Sequence, residues 1–125
     1  MMAGYFWSVD EMLKRARSGE IESKELGLKW SYLNYGEFCT LNVLQISNPK
    51  GIPLHTHNDH DEVVQVLEGE CEVTVGDETR VLKKGGTFFV PKGTPHGVSR
   101  TGTLLSVYGP SFDPKKPDRV FINKP

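Results

Sequence analysis

Apolar positions recur every second residue through most of this chain. Leu26, Leu28, Trp30 and Tyr32 fall two apart within residues 26–33, so they share one face of a strand. Asn34-Tyr35-Gly36-Glu37 reads as a turn. Residues 38–46 predict a second strand, with Cys39, Leu41 and Val43 on one side and Leu44 and Ile46 on the other. Ser47-Asn48-Pro49-Lys50-Gly51 interrupts it. After Glu62, the run Val63-Val64-Gln65-Val66-Leu67 predicts a strand that is apolar on both faces. Val64 and Val66 share a face with Glu62, while Val63 and Leu67 flank Gln65 on the other. Residues 71–75 and 78–82 predict a hairpin turned at Gly76-Asp77. Residues 87–90 and 103–108 predict two more strands, and residues 119–122 an edge strand on this subunit or a neighbouring one. Short strands separated by turn signals mean an all-β sandwich or barrel, of which a jelly roll is one form.

One stretch departs from the two-residue period. Ser8-Val9-Asp10-Glu11 has the spacing of a capping box, in which Ser8 and Glu11 satisfy each other's backbone amides. Val9, Met12, Leu13 and Ala16 then follow a helical period, and Gly19 supplies a stop. Residues 9–17 therefore predict a short amphipathic helix that covers one end of the barrel, with Tyr5, Phe6 and Trp7 packed beside it. The expected organisation is an N-terminal segment over 1–25, a barrel over 26–110 and a tail over 111–125. A strand apolar on both faces needs cover on both. A barrel this small has few elements to lend, so a second copy of the chain is the expected cover, with the N-terminal helix as the alternative. The expectation is a homodimer.

With 125 residues the chain can bury the core of one domain, and a formal net charge of -1 offers no electrostatic footing for nucleic acid or membrane partners. No basic leader with a long apolar core opens the chain, and no run approaches the roughly 20 apolar residues of a membrane span. Cys39 and Cys71 lie in separate strand-like runs, which favours two buried thiols in a cytoplasmic protein over a disulfide.

The candidate chemistry lies in two stretches. In Gly51–Gly69, His55 and His57 sit two apart and point the same way if extended. The turn Asn58-Asp59-His60-Asp61 then leads to Glu62 at the head of the two-sided strand, and a hairpin can return Glu62 to the histidines. In Gly85–Arg100, Pro91 and Pro95 flank the Gly93 turn that presents His96. His55, His57, Glu62 and His96 are the candidate metal ligands, because neutral imidazoles and a carboxylate suit a borderline divalent ion. Burying such groups unpartnered costs roughly 1–3 kcal/mol each, which a bound ion offsets. His60 and Asp61, in the linking turn, are expected to be solvated or to lie behind the ligands. Trp30, Tyr32, Tyr108 and Arg100 are candidates for the pocket wall, and the pattern identifies no catalytic base.

These stretches resemble the paired motifs of the cupin superfamily. Its first motif runs Gly, a gap, His-x-His, three or four residues, Glu, six residues, Gly, and here Gly51, His55, His57, Glu62 and Gly69 follow that order. Its second runs Gly, five residues, Pro-x-Gly, two residues, His, three residues, Asn, matched by Gly85, Pro91, Gly93 and His96. The chain departs in a Gly51-to-His55 gap of three residues, where the family usually has five, and in Arg100 at the place of the closing Asn. The resemblance implies a double-stranded β-helix, a metal inside it and a small-molecule pocket. Fe, Mn, Ni, Co and Zn all suit the ligand set. Four protein ligands leave two positions on an octahedral ion, open to oxygenase chemistry or to Lewis-acid isomerase or lyase chemistry. The alternative is a non-catalytic module that holds a small ligand through the metal.

Overall fold

The computed structural model describes residues 4–111, 116 and 118–122. One helix, α1 (Val9–Ser18), precedes the strands β1 (Ile21–Ser23), β2 (Leu28–Tyr35), β3 (Thr40–Ile46), β4 (Ile52–Thr56) and β5 (Asp61–Val75). Then come β6 (Glu78–Lys83), β7 (Thr87–Val90), β8 (His96–Ser99), β9 (Gly102–Gly109) and β10 (Val120–Phe121). The pairing is antiparallel and runs β1-β2-β3-β9-β5-β8-β4-β10, with β6 and β7 also on β5.

β5 joins the two halves of this ladder. Its first part pairs with β9 and β7, and its second part, from Glu70, pairs with β6 and β8. The runs 63–67 and 71–75, expected as separate strands, are thus one strand of 15 residues that serves two sheets. The partners change at Gly69, whose φ of +93° is open to glycine and strained for other residues. A Cβ there would also lie 2.8 Å from the Thr101 carbonyl oxygen. The sheets face each other across Leu28, Ile46, Val64, Val66, Val73, Val98 and Leu104, all buried. The result is the all-β jelly-roll barrel with a short N-terminal helix.

The capping box forms: Ser8 Oγ accepts from Glu11 N, and Glu11 Oε1 accepts from Ser8 N, each at 3.1 Å. Leu13 and Ala16 pack on Leu33, Val43 and Leu67. These positions alternate with the pocket-lining Tyr32, Asn42 and Leu44, so α1 lies on the back of the sheet rather than over a barrel end. Trp7 joins this packing, whereas Tyr5 and Phe6 are 83% and 90% exposed. The helix therefore covers Leu67, one outward apolar residue of β5. It leaves Val63 42% exposed, directly opposite Phe89, itself 55% exposed. Cys71 is buried, but Cys39 falls just before β3 and is exposed, contrary to the expectation of two buried thiols; both are unbridged. The expected edge strand is β10, and it pairs with β4 of its own chain.

Candidate metal centre and the cavity beside it

The strand ladder brings the predicted ligands together. His55 lies in β4 opposite His96 at the start of β8. His57 follows β4 by one residue, and Glu62 on β5 stands between Tyr108 of β9 and Val90 of β7. The ring centres are 4.1 Å apart for His55 and His96, 4.8 Å for His57 and His96, and 4.9 Å for His55 and His57. One ligand nitrogen from each of the three comes within 4.8 Å of the other two. Glu62 Oε1 lies 3.3 Å from His57 Nε2 and 3.5 Å from His96 Nε2. β4 must run close to β8 for this, and Gly51 allows it: with φ +67°, any Cβ there would lie 1.9 Å from the Val98 carbonyl oxygen.

Hydrogen bonding sets the direction of each imidazole. Nδ1 of His55, His57 and His96 contacts the carbonyl oxygens of Pro53 (2.7 Å), Asp118 (2.6 Å) and Thr94 (3.0 Å). A carbonyl only accepts, so each Nδ1 carries the hydrogen, and in a neutral ring Nε2 presents its lone pair. Three such lone pairs and a carboxylate meet in a buried space. His96 Nε2 has no hydrogen-bond partner among the described residues. The three imidazoles suit a divalent ion of borderline hardness, and Glu62 stands against two of them.

The electrostatics carry the same tension. Burial, with His96 next in weight, pulls the His55 pKa down to about 3. Burial would push Glu62 up, but contacts with His57, His96 and Ser106 outweigh it and hold the carboxylate far below its usual range. His57 is pulled down by burial, yet the bond to Glu62 and its charge leave it raised.

Beside the cluster lies a cavity of about 190 Å³. Leu28, Trp30, Leu44 and Ile52 form an apolar wall, and Tyr32, Tyr108 and Arg119 are among its polar groups. Trp30, Tyr32 and Tyr108 reach the cavity as the sequence allowed. Arg100 does not: it bonds Glu70 Oε1 at 2.9 Å on the surface, with Glu72 at 3.7 Å. Asp61 is exposed and accepts from Lys92 N at 2.8 Å.

Of the two settings expected for His60, it takes the one behind the candidate ligands rather than solvent. It is 2% exposed, stacks on His57 at 4.2 Å and places Nδ1 2.9 Å from Asp118 Oδ2. Asp118 is the residue that sequence reasoning missed. Its carboxylate accepts from Asn58 N (2.9 Å) and Asp59 N (2.7 Å), so the tail closes the turn behind His57. Ser106, which donates to Glu62 Oε2, was also missed. Its place two residues from both Leu104 and Tyr108 put it on the inward face, a signal available in the alternation.

A jelly-roll barrel with three imidazoles and a carboxylate meeting inside it defines a class of barrel with a histidine-lined interior site. The Cupin domain matches residues 43–108, and the chain belongs to the cupin family. It is 31% identical over 115 residues to an uncharacterized protein of Aquifex aeolicus, covering 90% of this chain and 89% of that one. It is 35% identical over 66 residues to the pectin degradation protein KdgF of Dickeya dadantii, covering 51% of this chain and 57% of that protein. The structure of KdgF from Halomonas matches with a TM-score of 0.71 at 20% identity, over 80% of this chain and 95% of that one, a likeness of fold. Among the described residues, no helix is long and apolar enough to cross a membrane.

Proposed function

We propose that this cupin is a metal-dependent enzyme acting on a small molecule, with His55, His57, Glu62 and His96 holding the divalent ion. One observation carries the reading: three imidazoles, each tied through Nδ1 to a carbonyl, converge with Glu62 beside a cavity of small-molecule size. When bound, an ion of the Fe, Mn, Ni, Co or Zn group supplies Lewis acidity, or redox chemistry with dioxygen, at the positions the protein leaves open. The chain's own groups favour the first, isomerase or lyase class. Ser106 orients the Glu62 carboxylate. Burial, with the His57 charge next, holds the pKa of His60 below its usual value, so this cavity-lining imidazole is neutral at pH 7. Asp118 sits against its Nδ1, and an imidazole positioned by a carboxylate is the arrangement of a general base. Burial, followed by the nearby Tyr32, raises the Tyr108 pKa, so this phenol stays protonated in the cavity wall beside Tyr32.

The test combines elemental analysis with turnover assays on catechols, thiols, diketones and uronates. Bound divalent metal, with turnover that proceeds without dioxygen, is the expected result. Dioxygen uptake that requires Fe(II) assigns the oxygenase class instead. Tight ligand binding with no turnover assigns a binding module. His57→Ala is expected to weaken metal binding by more than about 100-fold, beyond what loss of an outer partner produces. Unchanged metal content in that variant would rule out the ligand assignment.

A further part of the reading concerns the setting. A second copy of the chain is the proposed cover for Val63 and Phe89 on the face that α1 leaves open.

A further inference from the structure

Arg119 lines the cavity from the tail, just before β10. β10 pairs Val120 with Thr56 and Phe121 with His55, so continuing the register sets Arg119 opposite His57. Arg119 and Phe121 lie two apart and share the inward face. The guanidinium carbon sits 5.1 Å from the centre of the Phe121 ring, and that ring is 5.7 Å from His55. The cation is thus one aromatic ring away from the histidine cluster.

This guanidinium is half-buried, and among the described residues no carboxylate stands within ion-pair distance of it. The two acids that share its cavity are already engaged. Glu62 faces His57 and Ser106, and Asp118 holds the turn amides and His60. Arginine keeps its charge when buried, and a covered charge without a counter-ion is costly. Its planar fork matches a carboxylate by two parallel hydrogen bonds. The same cavity is also lined by the apolar Leu28, Trp30 and Leu44. The cavity is small beside the roughly 300–1,000 Å³ of sites for drug-sized ligands.

We propose that Arg119 is the specificity residue of this site, taking the carboxylate of a small organic acid whose other end lies at the histidine cluster. This rests on the metal-dependent reading only for the position of the reacting end; recognition of the anion belongs to Arg119.

The experiment uses butyrate and its neutral isostere butyramide as probes, titrated into the 125-residue protein and followed by NMR, including the Arg119 Nε–H resonance. Both metal-loaded and chelator-treated protein are titrated, along with Arg119→Gln and Arg119→Lys. Wild type is expected to bind butyrate at least about tenfold more tightly than butyramide, with a shift of the Arg119 signal, and to keep that preference after chelation. Arg119→Gln is expected to abolish the preference. Arg119→Lys, which keeps the charge and loses the fork, is expected to retain part of it. Equal binding of the two probes by wild type overturns the proposal. So does a preference that vanishes on chelation yet survives Arg119→Gln, because the anion is then bound through the metal. Persistence of the preference in metal-free wild type supports Arg119 even if the metal-dependent reading fails. The wild-type Arg119 resonance reports the contact directly if a variant does not fold.

Discussion

Each converging imidazole is held at its far nitrogen by a backbone carbonyl, and Glu62 is held at its far oxygen by Ser106. Such outer partners tune a ligand as much as they position it. Ser106→Ala is expected to reduce metal affinity by roughly 10- to 100-fold, measured by competition with a chromophoric chelator. The protonation behaviour of the metal-free protein gives a second residue-scale prediction. Unfolded histidine titrates near 6.5 and glutamate near 4.3. His55 stays neutral in the fold until about pH 3, so below about pH 6.5 the unfolded chain binds a proton that the native one refuses. Glu62, with its depressed pKa, adds a stabilisation that is present above its unfolded value and lost as pH falls through its folded one. His57 is raised and works the other way, but below about pH 6 it is protonated in both states and adds no slope. The urea midpoint of the metal-free protein is therefore expected to fall steadily as pH drops from about 6 to 3. A flat profile would show that these groups are not buried together.

At the scale of elements, the tail acts as a clamp. β10 extends the sheet beyond β4, and Asp118 binds the backbone of the turn that separates His57 from Glu62. Hydrogen bonds from amides to a carboxylate are among the stronger ones, at about 1.5–3 kcal/mol. Asp118→Ala is expected to raise the exchange rates of the Asn58 and Asp59 amides by about tenfold or more. Amides in the middle of β5 are expected to keep their protection, because the ladder there does not involve the tail. Similar acceleration throughout the barrel would instead make Asp118 a general stabiliser. α1 belongs to the same scale. It closes the back of the sheet over Leu33, Val43 and Leu67, and its length leaves the Val63 end of β5 open.

For the whole molecule, that open end is where a second copy is proposed to dock. Val63 and Phe89 form an opposed pair on β5 and β7, and β7 pairs with β5 alone among the described strands. Sedimentation at micromolar concentration is expected to show a species of twice the 14.0 kDa chain mass, and Phe89→Glu is expected to return it to the monomer. A wild-type protein that sediments as a monomer removes the dimer.

Periodicity along the chain was enough to mark most strands, though not β1 or β8, together with the capped helix and the inward face of β5, because alternation and capping are local properties of neighbouring residues. The candidate histidines were also legible, since His55 and His57 lie in one stretch and the Gly93 turn marks His96, and the structure brings these three together. Long-range closure was not legible. Whether Gly69 bends one strand into two sheets depends on what packs above it. The burial of His60 depends on Asp118, 58 positions away along the chain, and although residues 119–122 read as an edge strand, nothing local said which strand they would join or that Asp118 and Arg119 would reach the histidines. Spacing can place side chains on a common face, but which faces meet around a cavity is set by pairing between segments distant in the chain.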